Sequence, residues 1–149
     1  MKALLQAVAL SFLCSTLAFA AERGTADEAV ALVQKAVAYM KANGKEKAYA
    51  EFNNPNGQFK DRDLYIFVID MTGLEWANGA NQKIVGKNVL DLKDAEGKMM
   101  VKAFIDLAKT KGKGWVDYKW PNPVQKTVES KSTYLEKYED VLVASGIYK

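Results

Sequence analysis

Two scarcities define the chemistry open to this chain. Histidine is missing from all 149 residues, and the single cysteine, Cys14, lies in an apolar leader. The commonest general base, metal ligand and haem ligand are therefore absent, and no nucleophile–base pair is visible. The carboxylate groups Asp61-x-Asp63 and Asp91-x-x-Asp94-x-Glu96 offer hard oxygens but lack the spacing of a calcium loop. Asp94 reads better as a helix cap. No Gly-rich phosphate loop follows a strand, so neither a metal nor a cofactor is expected. Lys109, Lys111 and Lys113 make only a small basic patch, and the formal net charge is +3. That excludes a nucleic-acid surface. What remains is aromatic. Trp115, Tyr118 and Trp120 fall within six residues, and Tyr65 interrupts an aliphatic run. Aromatic walls with a phenol O–H suit a small organic guest. Strand alternation sets Trp115 on the face opposite Tyr118 and Trp120, so the latter two form the natural pair. Tyr65 fits a pocket wall and a core position equally.

The elements that must position these side chains follow from pattern. Thr25-Ala26-Asp27-Glu28 is a capping box, and Val30, Val33, Val37 and Met40 recur behind it at helical spacing. Asn43-Gly44 ends that helix, and a shorter one over Lys45–Phe52 is broken by Asn53-Asn54-Pro55-Asn56-Gly57. Leu64 to Ile69 is six apolar or aromatic residues in a row, the pattern of a strand buried on both faces. A turn at Asp70–Gly73 returns a strand over Leu74–Asn78. A helix from about Ala95 to Thr110, capped by Asp94, comes next. Trp115–Trp120 is a strand ended by Pro121-Asn122-Pro123. Thr127–Tyr138 and Val141–Tyr148 form a hairpin around Glu139-Asp140. The fold class is α+β: a long N-terminal helix on a five-stranded antiparallel sheet, its helices mainly on one side. The chain start, with Lys2, an apolar run to Leu13 and Ala18-Phe19-Ala20, reads as a signal peptide cleaved after Ala20. The apolar stretch is short for a span of about 20 residues. Residues 21–149 are expected to be one periplasmic domain.

Several stretches together resemble a known family. They are Leu64-Tyr65-Ile66-Phe67-Val68, Gly73, Gly86-Lys87-Asn88, Asp91-Leu92-Lys93-Asp94 and Gly97-Lys98, followed by Gly114 through Pro123, Lys131-x-x-Tyr134 and Gly146-Ile147-Tyr148. The pattern is similar to the single Cache domains, PAS-like extracytoplasmic sensor modules of bacterial chemoreceptors and histidine kinases. The resemblance runs from about Thr25 to Lys149. It implies a pocket for a small organic ligand, often a short carboxylate, between the sheet and its connecting loops. It singles out Lys131 as the cation and Tyr134 as a donor, although a regular strand turns residues three apart to opposite faces, so a bulge near Lys131 is required. Asn78 stands where many relatives carry histidine. Ending at Lys149, the chain looks like a stand-alone periplasmic form whose output either lies in another polypeptide or does not exist.

The expected ligand contacts are thus Tyr65, Asn78, Tyr118, Trp120, Lys131 and Tyr134. The expected function is a periplasmic sensor for a short organic acid, linked to signal transduction or chemotaxis through a separate membrane receptor or kinase. Two other classes stay open. One is a small enzyme, disfavoured by the missing histidine and cysteine. The other is a homodimerisation module using the Val30, Val33, Val37 and Met40 stripe, which serves equally as core.

Overall fold

The computed structural model describes residues 22–149. The leader, Cys14 and the Ala20 cleavage point lie outside the described residues. Helix α1 spans Ala26–Asn43 and starts on a complete capping box. The Glu28 N–H donates to Thr25 Oγ1 at 3.3 Å, and the Thr25 N–H donates to Glu28 Oε2 at 2.8 Å. Gly44, at φ +80°, supplies the left-handed kink that separates α1 from α2 (Lys45–Phe52). A minor hairpin of β1 (Lys60–Asp61) and β2 (Leu64–Tyr65) follows. Then come β3 (Phe67–Asp70), β4 (Glu75–Asn78), α3 (Met100–Thr110), β5 (Lys113–Pro121), β6 (Val128–Tyr138) and β7 (Val141–Tyr148). The last five strands form an antiparallel sheet in the order β4-β3-β7-β6-β5.

The expected α+β class and five-stranded sheet are present, with three corrections. The helices are not gathered on one side. Val33, Ala36, Val37 and Met40 of α1 pack with α2 against Val68, Tyr134, Val141 and Val143. On the opposite face, Met100, Val101, Phe104 and Ile105 of α3 pack against Phe67, Ile69, Leu135 and Leu142. The cause is visible in β7, where Val141 through Ala144 are all buried. A central strand apolar on both faces needs a cover on each. The same packing makes the α1 stripe core, with only Val30 half-buried.

The second correction concerns the run from Leu64 to Ile69, which divides at Ile66. Its N–H donates to the Phe59 carbonyl and its carbonyl accepts from Gly79, so its backbone leaves the ladder while its side chain stays buried. The third is the start of α3, at Met100 rather than near Ala95. Asp94 caps no helix: its carboxylate accepts from the N–H groups of Glu96, Lys98 and Lys119, tying a loop turned by Gly97 to β5.

Gly146 has a positional role. It sits opposite Thr133, and a Cβ there would overlap Thr133 Oγ1 and the Lys131 side chain. Gly146→Ala should destabilise the domain by about 2 kcal/mol, through overpacking, measured by urea denaturation. A stability within about 0.5 kcal/mol of wild type, the ordinary scatter of surface changes, would show that the Lys131 stem does not depend on this gap.

Candidate ligand-binding site

Between the α3 face of the sheet and the loop that links β4 to α3 lies a cavity of about 30 Å³. That is room for a water-sized guest without rearrangement. Its walls are mainly apolar, from Phe67, Ile69, Met100, Val101 and Phe104, and its polar groups are Tyr65, Glu75, Asn78, Tyr118 and Trp120. Tyr65 and Trp120 also line an outer depression with Asn81, Asn122 and Lys126. These two rings are therefore the partition between the cavity and the surface.

Strand register accounts for most of the placement. β5 and β6 pair regularly, with Tyr118 opposite Lys131 and Trp115 opposite Tyr134. Tyr118 and Trp120 face α3 as the alternation predicted. The Tyr118 ring meets Phe104 edge-on at 5.3 Å, and its hydroxyl is 3.0 Å from Thr133 Oγ1. Burial holds both the Tyr65 and Tyr118 phenols well above the usual tyrosine range, so both are neutral donors.

Lys131 is 1% exposed, on the same sheet face. Its Nζ donates to Tyr65 Oη at 2.7 Å and lies 4.2 Å from the Tyr65 ring centroid, 4.7 Å from that of Tyr148 and 5.9 Å from that of Phe67. The ammonium thus stands in an aromatic cage and reaches the cavity through the Tyr65 hydroxyl. Burial pushes its pKa down to about 7, against the opposing fields of Asp63 and Glu75.

Tyr134 is not brought to this site. No bulge occurs near Lys131, so residues three apart fall on opposite faces. Tyr134 stands on the α1 side, 5.4 Å from the Trp115 ring, and its hydroxyl donates to Glu136 at 2.7 Å. Asn78 lines the cavity but is largely committed. Its Oδ1 accepts from the Ala80 and Asn81 N–H groups, and its Nδ2 donates to Glu75 Oε1 at 2.6 Å.

Glu75 is the residue that sequence reasoning missed. A bulge does exist, but in the β3–β4 pair, where Val68 faces Ala77 and Ile69 faces Glu75. It throws Trp76 outward, 43% exposed, and turns both Glu75 and Asn78 to the cavity face. The one available signal was an acid inside an otherwise apolar strand. Glu75 is 2% exposed, and burial raises its pKa to about 7, against the opposing Asn78 hydrogen bond and Lys131 field. Both arginines of the described residues are elsewhere. Arg23 pairs with Glu129, and Arg62 with Glu28 and Asp61 near the start of α1. Among the described residues no group of three or more acidic side chains is placed to hold a metal. No helix among them is long and apolar enough to cross a membrane.

A helix-covered antiparallel sheet of this order with a small mixed cavity is the architecture of a PAS-like sensor domain. Residues 17–149 match the family model of single Cache domain 2, and the chain belongs to that family. A methyl-accepting chemotaxis protein from Vibrio parahaemolyticus superimposes with a TM-score of 0.69 and 26% identity, over 82% of this chain and 86% of that one. A Cache chemosensory domain, solved for its carboxylic acid recognition, superimposes equally well, with a TM-score of 0.69 and 21% identity over 82% and 91%. The methyl-accepting chemotaxis protein McpP of Pseudomonas putida is 24% identical over 90 residues, which are 59% of this chain but 16% of that receptor.

The two buried titratable groups act on stability in opposite directions. Glu75, raised from 4.5 to about 7, contributes stability that is complete below about pH 4.5 and lost as pH rises through 7. Lys131, lowered from 10.5 to about 7, contributes stability that is complete above 10.5 and lost as pH falls through 7. Glu75→Gln cannot ionise, so its melting temperature should gain on wild type between pH 5 and pH 8. Lys131→Met should gain in the reverse direction. Melting-temperature differences that do not change with pH would show that neither group is titrating in the folded domain.

Proposed function

We propose that this domain is a periplasmic sensor that binds a short organic acid, exported by a leader cleaved after Ala20. The observation that carries the reading is the buried Lys131. Among the described residues its ammonium donates one hydrogen bond, to Tyr65, although it has three protons to give. Holding such a group out of water costs several kcal/mol unless an anion answers it. Asp63 and Glu75 act on it only from a distance. An acid entering past Tyr65 and Trp120 supplies the missing anion, with the Tyr65 phenol as a neutral donor and Trp120 closing over the guest. The carboxylic acid recognition described for a Cache relative supports the choice of ligand class.

In this reading the domain binds and does not turn over its ligand. Its output passes to a separate membrane receptor or kinase, in keeping with the chemotaxis proteins that share its fold. Helix α1 packs on β6, the strand that carries Lys131, and on β7.

The test is titration calorimetry of the domain comprising residues 21–149 against a series of two- to four-carbon acids, with Lys131→Met beside wild type. The variant keeps an apolar stem and loses the charge. It should fold, by circular dichroism, and bind the best acid more weakly by about 2 kcal/mol or more. Equal affinity in the two folded proteins would remove Lys131 from the site and the carboxylate from the proposal.

A further inference from the structure

The cavity has a second polar end that a simple alkanoate leaves unused. Glu75 Oε1 accepts from Asn78, while no group among the described residues donates to Oε2. Asn78 cannot rotate to serve elsewhere, because its Oδ1 is held by two backbone N–H groups of the following loop. The bulge that expels Trp76 is what brings this pair inward, at the cost of a regular ladder. The result is a fixed acceptor on the wall of a mainly apolar cavity that Tyr65 also lines, with Lys131 behind the Tyr65 hydroxyl. An acceptor facing a mainly apolar cavity favours a guest that brings a donor to it, and a site built this way discriminates for one.

From this bipolar arrangement we infer that the ligand is a small acid carrying a hydrogen-bond donor on the carbon beside its carboxylate. The carboxylate lies toward Tyr65 and Lys131, and the hydroxyl or ammonium group lies toward Glu75. The inference rests on the carboxylate reading above and adds to it a specificity-determining residue. Phe67, Ile69 and Phe104 enclose the short carbon skeleton between the two ends. The cavity as it stands has room for about one water, so a guest of a few carbons enters only as Tyr65 and Trp120 move aside.

Three acids of one skeleton separate the possibilities: propionate, 2-hydroxypropionate and 2-aminopropionate, each titrated calorimetrically at pH 7. Wild type should bind the hydroxy or the amino acid at least tenfold more tightly than propionate. Which of the two is preferred assigns the donor as hydroxyl or ammonium. Glu75→Gln should cut that preference, read as the ratio of affinities within the one protein, to within about threefold, because the amide keeps the hydrogen bonding of its surroundings and loses the anionic acceptor. Wild type binding all three alike would overturn the inference and leave the carboxylate reading standing, provided Lys131→Met loses them all. Should Glu75→Gln fail to fold, the wild-type comparison still decides. No binding of any of the three by wild type would overturn both.

Discussion

A charged ammonium inside a sheet is the constraint around which this domain is arranged. Removing such a group from water costs several kcal/mol, even after local relaxation. Lys131 meets that cost in parts. Tyr65 accepts its hydrogen bond, the rings of Tyr65, Tyr148 and Phe67 present their faces, and Asp63 and Glu75 supply opposite charge at longer range. None of these is a full ion pair. Because the compensation is partial, burial holds the Lys131 pKa below the usual lysine range. An anion beside the ammonium would supply what these partial contacts do not.

The surroundings of Lys131 extend to the edge of the domain. Gly146 leaves the gap in β7 through which the lysine stem passes. Asp63, buried in the turn between β1 and β2, accepts the Gly24 N–H at 2.7 Å just ahead of α1. Its second oxygen has no hydrogen-bond partner among the described residues. One carboxylate therefore joins the chain leading into α1 to the field felt by the lysine. The capping box at Thr25 and Glu28, with Arg62 bridging Glu28 and Asp61, fixes the same corner.

Much of this was legible in the sequence because it rests on local pattern. The cap at Thr25, the break at Gly44 and the alternation of Val116, Tyr118 and Trp120 each follow from a few neighbouring residues, and each is where pattern puts it. The strand pairings also emerge, since β6 and β7 are joined by a tight turn. What escaped were features set by distant partners. Asp94 looks like a helix cap until Lys119, 25 residues away, is seen to donate to it. Tyr134 was placed with Lys131 by motif, but an unbroken ladder to β5 sets it on the other face. Glu75 reaches the cavity only through a bulge that nothing local announces. Fold is thus written mostly in short-range periodicity, and the polar half of the site in register.

On the proposed function, an acid ligand fixes the labile charge of Lys131. Its side-chain nitrogen can be followed by heteronuclear NMR in protein labelled at lysine Nζ and Cε, titrated from pH 5 to pH 11. In the free domain Lys131 should titrate near pH 7, well below the other lysines, and saturation with the preferred acid should move that midpoint upward by at least one pH unit. A Lys131 that titrates with the surface lysines near 10.5, with and without the acid, would contradict the account.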